Sequence, residues 1–185
     1  VLICFVIGVP LGVIASYNKW YRDIQNVVLD AMQTLPYFCY LIPVLMFFGG
    51  NIVSAVIATV IYSVPPIIRL TALGLSQVSG GYSEVSKSFG GTGIQTLNKV
   101  KFPLAVPSLV MGFNQTVIMA FAMQIVTPLI GGKGLGLQVF NALQRSDTGR
   151  GLSAGLAIVL LAIIIDRITH AWTKKQRQAL GLDQS

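Results

Sequence analysis

Charge is scarce in this sequence, and so are the side chains that usually carry chemistry. Only 10% of its 185 residues are charged, against about 25% in an average soluble domain, which excludes a water-soluble globule. The two cysteines, Cys4 and Cys39, both fall inside apolar runs, where a thiol behaves as a small apolar group, so neither a disulfide nor a metal site follows. The single histidine, His170, rules out the usual zinc spacings. No nucleophile–base pair or metal constellation is present, which argues against a membrane enzyme. No fixed-period repeat or low-complexity tract is visible, and no cofactor is expected in this chain.

What the sequence does have is hydrocarbon, at 54% hydrophobic residues. About 20 apolar helical residues cross a bilayer core of roughly 30 Å. Five runs qualify, at 1–17, 26–49, 51–68, 104–130 and 151–172. The first opens at Val1 without a methionine, so the sequence is expected to be a fragment. No charged segment or small-residue cleavage site marks that run as a signal peptide. Basic residues are retained on the cytoplasmic side of a membrane. If the 18–25 loop, the 69–103 segment and the C-terminal tail lie inside, ten of the 13 Lys and Arg are inside, Lys175 and Arg177 among them. Lys133, Arg145 and Arg150 are then outside. Topology alone therefore accounts for the net charge of +7, and no nucleic-acid partner is implied.

Several runs carry helix-disturbing residues. Pro36 and Pro43, seven apart, are expected to bend the second run in one sense. Pro65-Pro66 is expected to end the third. Asn114, Gln115, Thr116 and Gln124 interrupt the fourth without sharing a face, which places that helix near the centre of a bundle. Asn114, Gln115 and Gln124 are candidates for a pathway or a helix interface. Asp30 and Asp166 fall toward the cytoplasmic ends of their runs, where interfacial water would solvate them.

The stretch SEVSKSFGGTG at 83–93 is the polar exception. A nucleotide-cradling loop needs G-x-x-x-x-G-K-[ST]; neither this stretch nor GGKGLG at 131–136 supplies it, and the chain is not expected to bind ATP. Ser83 can cap a helix whose first turn holds Glu84. Val85 and Phe89 then share a face, and Gly90-Gly91 can stop the helix with a left-handed cap. Thr92 and Gln95 make a capping box for a second helix carrying Ile94 and Leu97, which Pro103 is expected to end. The result is a compact cytoplasmic hairpin.

Glu84, Val85, Ser86, Gly90, Val100, Phe102 and Pro103 keep the spacing of E-A-A-x-x-x-G, nine residues, I-x-L-P. That pattern resembles the cytoplasmic motif of the permeases of binding-protein-dependent ABC importers, with four positions softened to Val85, Ser86, Val100 and Phe102. LDAMQTLPYFCYLIPVLMFFG (29–49), PPIIRLTALGL (65–75), GFNQTVIMA (112–120) and GGKGLGLQVFNALQRSDTGRG (131–151) are similar to the glycine betaine/proline betaine branch.

The resemblance implies an all-α integral membrane protein, residues 1–185 forming a single permease domain of the type I importer fold. It would have about five transmembrane helices, a cytoplasmic coupling loop at about 69–103 and a periplasmic loop at about 131–150. It implies a non-catalytic subunit of the bacterial inner membrane, taking up glycine betaine or a similar methylated-amine osmolyte. The implied partners are a separate ABC ATPase, a substrate-binding protein, a second permease copy and membrane lipid. Glu84, Val85, Ser86, Phe89, Gly90 and Pro103 would couple to the ATPase. Arg145, Asp147 and Arg150, on a short helix tucked down by Leu135, Leu137, Val139, Phe140 and Leu143, would contact the binding protein. Rival readings are a permease for choline, carnitine or trimethylamine N-oxide, and an ion-coupled secondary transporter. The last would need mid-membrane charges, which the central parts of the runs are read as lacking.

Overall fold

The computed structural model describes residues 1–179, apart from the side chains of Trp172, Thr173 and 175–179; Lys175 and Arg177, counted above as cytoplasmic, lie outside the described side chains. Every regular element among the described residues is helical: α1 (Leu2–Tyr17), α2 (Lys19–Thr34), α3 (Phe38–Phe48), α4 (Ile52–Ser63), α5 (Pro65–Gln77), α6 (Gly80–Ser88), α7 (Gly93–Thr96), α8 (Phe102–Gln124), α9 (Leu135–Gln144) and α10 (Thr148–Ala179).

Three helical stretches are long and apolar enough to cross a membrane, Ile52–Gln77, Gly93–Gln124 and Thr148–Ala171. The first and second expected runs map less simply. α1 is apolar but has only 16 residues, about 24 Å of helix. The 26–49 run is not one kinked helix, because α2 and α3 meet at 95°. The residue before a proline is driven out of the helical region, and Leu35 accordingly turns extended at ψ 131°. Pro43 stays inside α3, so Pro36 alone makes the break. The Tyr40 hydroxyl donates to the Met32 carbonyl, one of the acceptors that the end of α2 leaves unpaired.

Pro65 and Pro66 do not end the third run. They occupy the first turn of α5, where a missing N–H costs little, and Val64 keeps helical angles. The helix therefore continues to Gln77, and the hairpin segment follows from Val78.

Small residues set the packing, as they do where lipid removes the usual hydrophobic drive between helices. α1 runs parallel to α5. A Cβ on Gly12 would lie 2.6 Å from Thr71 Cβ and 2.7 Å from the Ile68 carbonyl oxygen. α8 runs antiparallel to α5, with Gly74 against Ser108 and Gly112 against Ile67. Three apolar clusters follow: Cys4, Leu29, Val64, Ile67 and Ile68; Leu75, Ala105 and Leu109; and Tyr40, Leu41, Val44, Ala58, Met123 and Ile130.

Candidate coupling, docking and pathway surfaces

The hairpin between α5 and α8 is built from local hydrogen bonds. α6 starts at Gly80 after Ser79, so Ser83 does not cap it and Glu84 is not in its first turn. Tyr82 lines the hairpin groove. The end of α6 is as expected. Gly90 has φ +78°, its N–H donates to Lys87 O at 2.8 Å, and the Gly91 N–H donates to Ser86 O at 2.9 Å. This bond pair is a Schellman stop, which favours glycine at the left-handed position. Gly91 is hemmed in as well, since a Cβ there would sit 2.7 Å from Ser86 O.

The second limb opens with the expected capping box. Gln95 Oε1 accepts from the Thr92 N–H at 2.9 Å, and Thr92 Oγ1 accepts from the Gln95 N–H at 3.4 Å. Ser86 Oγ and Thr96 Oγ1, 2.8 Å apart, tie the limbs together.

Pro103 does not end this limb. Residues Leu97–Lys101 form a π-helical turn in which the Phe102 N–H reaches Leu97 O. The wider turn relieves the clash of a proline ring with the preceding carbonyls. Helix therefore runs unbroken from Gly93 to Gln124, about 48 Å at 1.5 Å per residue. The second limb of the hairpin and span four are one continuous helix. Phe89 is 89% exposed, with Val85, Tyr82 and Ile94 also exposed, and a groove of about 480 Å³ lies between Tyr82, Val85, Ser86, Phe89, Gln95 and Lys99.

At the opposite end, α9 is held by backbone proximity more than by its large side chains. Gly136 and Ala142 are buried while Leu143 is exposed, so Leu143 does not tuck down as expected. The other four named apolar residues are half-buried. Arg145, Asp147 and Arg150 converge on one small cleft. Asp147 Oδ1 accepts from the Arg150 N–H at 3.1 Å, and Asp147 Oδ2 lies 3.4 Å from Arg150 Nε. Arg145 makes no ion pair among the described residues.

The three amides of α8 do not converge. Gln115 is exposed, and Gln124 lines a cavity of about 320 Å³ with Thr59, Phe121, Thr127 and Lys133. Asn114 is only 8% exposed and joins a cluster that sequence reasoning missed. Its Nδ2 donates to Asp166 Oδ1 at 3.2 Å, and its Oδ1 accepts from the Thr169 hydroxyl at 2.6 Å. His170 Nε2 lies 3.4 Å from the same Asp166 oxygen. Asn114 is near the middle of α8, two residues from the Gly112–Ile67 contact. Asp166, although 43% exposed, is therefore hydrogen-bonded by Asn114 between α8 and α10. Asp30 is likewise paired, with Arg69.

Comparison with known proteins follows these features. The family model "binding-protein-dependent transport system inner membrane component" matches residues 8–178. The chain belongs to that family. It is a multi-pass component of the inner membrane. It is 46% identical over 176 residues to the glycine betaine/carnitine transport permease GbuB of Listeria monocytogenes, covering 95% of this chain and 62% of that one. To the glycine betaine/proline betaine permease ProW of Escherichia coli it is 44% identical, covering 95% and 50%. The trimethylamine N-oxide permease TmoV of Ruegeria pomeroyi is 34% identical, with coverages of 99% and 28%. The chain thus spans about half to three fifths of the betaine permeases it matches. The inward-facing MetNI methionine ABC transporter has the same fold, with a TM-score of 0.75 at 23% identity, over 91% of this chain and 87% of that one.

Proposed function

We propose that this chain is the membrane-spanning part of a permease for glycine betaine or a closely similar methylated-amine osmolyte, driven by a separate ABC ATPase and fed by a substrate-binding protein. The observation that carries the coupling half of this reading is the single rod from Gly93 to Gln124, which joins an exposed apolar hairpin to the centre of the bundle. A rigid-body transition needs such an element, because a flexible loop would absorb the displacement. Glu84, Val85, Ser86, Phe89 and Gly90 form the end that docks on the ATPase. Pro103 lies at the π turn, where hairpin becomes span. Two permease copies would enclose the pathway between them.

The substrate half rests on the relatives: four glycine betaine permeases match at 43–46% identity, against 34–36% for two trimethylamine N-oxide permeases and 30% for a glycine betaine/carnitine/choline permease. Competition tests it. In vesicles holding the complete permease, its ATPase and its binding protein, uptake of labelled glycine betaine should resist excess choline and trimethylamine N-oxide. Suppression by either would move the substrate assignment. An ion-coupled secondary transporter is the rival mechanism, and Asp166, held by Asn114, is the charge it would use. The capped hairpin favours the ATP-driven reading, since ion coupling has no use for it.

At the outer end, Arg145, Asp147 and Arg150 form the surface proposed to contact the binding protein. Charge pairs at a rim act mainly on encounter and orientation. Arg145→Glu with Arg150→Glu should therefore raise the half-saturating binding-protein concentration roughly tenfold or more, with maximal uptake little changed. An unchanged half-saturation would remove this surface from the docking site.

A further inference from the structure

A second polar groove lies between α2 and α5, away from the hairpin and the outer cleft. Arg22, Asn26 and Asp30 on α2 face Arg69, Leu73 and Ser76 on α5 across about 370 Å³. The spacings of four and of three to four residues place each set along one helix face. Asp30 closes the deep end by pairing with Arg69, but that bond uses only one guanidinium nitrogen, and Arg69 Nε is buried without a hydrogen-bond partner. Arg22 has no ion pair among the described residues. The groove holds two guanidinium groups against one carboxylate.

Its position narrows the ligand. Ser76 is next to the cytoplasmic end of α5, and Arg22 is on the first turn of α2, just past the end of α1. The same level carries Tyr17, with Lys101 Nζ 5.2 Å from its ring centre, and exposed Trp20; aromatic and basic residues of this kind mark the membrane interface. Arg69, about 12 Å deeper by helical rise, can extend its side chain toward that level. The outward face of α2 shows apolar Trp20, Ile24, Val27 and Val28, and no aromatic ring lines the groove to hold a methylated ammonium group. We propose that this groove binds the phosphate of an anionic lipid of the cytoplasmic leaflet, with Arg22 and Arg69 on the phosphate, Asn26 supplying a further donor, and the acyl chains along the apolar face of α2. The site rests on the membrane topology and is independent of which osmolyte is carried.

The test is native mass spectrometry of the complete permease with its ATPase, titrated with dioctanoyl phosphatidylglycerol. Saturable binding should be weakened about fivefold in Arg22→Gln, the effect of about one surface cation, and unchanged in Lys133→Gln on the outer side. Arg22 has no ion pair to lose, so that variant should fold even if Arg69→Gln does not. Equal lipid affinity in Arg22→Gln and wild type overturns the site. Displacement of the lipid by low millimolar inorganic phosphate would identify a free-anion site, and displacement by glycine betaine a substrate site; either result overturns the lipid assignment.

Discussion

Gly90→Arg is expected to abolish ATP-driven uptake while the permease still reaches the membrane at its normal level. Gly90 holds φ +78° at the end of α6, a conformation costing an ordinary residue about 1–2 kcal/mol. Space is not the obstacle, since nothing lies within 4 Å of a Cβ built there. The expected damage is to the turn: loss of the Gly90 N–H to Lys87 O and Gly91 N–H to Ser86 O bonds would re-aim Phe89 and release Ser86 from Thr96. The hairpin lies outside the spans, so insertion and bundle packing should survive. Gly90→Asn supplies the control, because asparagine tolerates the left-handed region, and should keep most of the uptake. Normal uptake by Gly90→Arg would remove the hairpin from the coupling path.

The second large effect is expected from Asn114→Leu. The substitution removes the amide donor to Asp166 and the acceptor for Thr169 at a site 8% exposed. It leaves the Asp166 carboxylate with His170 as its remaining side-chain partner among the described residues. Stranding a fully buried polar group costs about 1–3 kcal/mol, and the 43% exposure of Asp166 puts its loss toward the low end, whereas replacing both partners by apolar groups of similar shape is close to neutral. Thermal unfolding of the detergent-solubilised complex should therefore show a clear drop for Asn114→Leu and recovery of most of it in the double variant Asn114→Leu, Asp166→Leu. A single variant as stable as wild type would mean that water, not Asn114, solvates Asp166. The recovered double variant, assayed for uptake, would also show whether transport needs the charge itself.

These two sites differ in how far the sequence exposed them. The capping box of Thr92 and Gln95 and the stop at Gly90-Gly91 depend on residues within a turn or two of one another, and both were legible. Four prolines were misread for one shared reason: the effect of a proline depends on its place within a helical turn. Pro65 and Pro66 begin a turn and cost little, Pro103 is passed by a π turn, and Pro36, read as a kink, breaks the chain by forcing Leu35 extended. Asn114 and Asp166 are 52 residues apart, so no local pattern could pair them. Gly8 and Gly12, four apart, did carry a readable signal of close helix approach, which the structure places against Ile67 and Thr71.

Energy source is the central claim, and one uptake experiment addresses it most directly. Vesicles holding the complete permease, the ATPase and the binding protein are given labelled glycine betaine with and without internal ATP, each in the presence and absence of an ionophore. The account predicts uptake that requires ATP and is indifferent to the ionophore. Uptake that proceeds without ATP and collapses with the ionophore would contradict it.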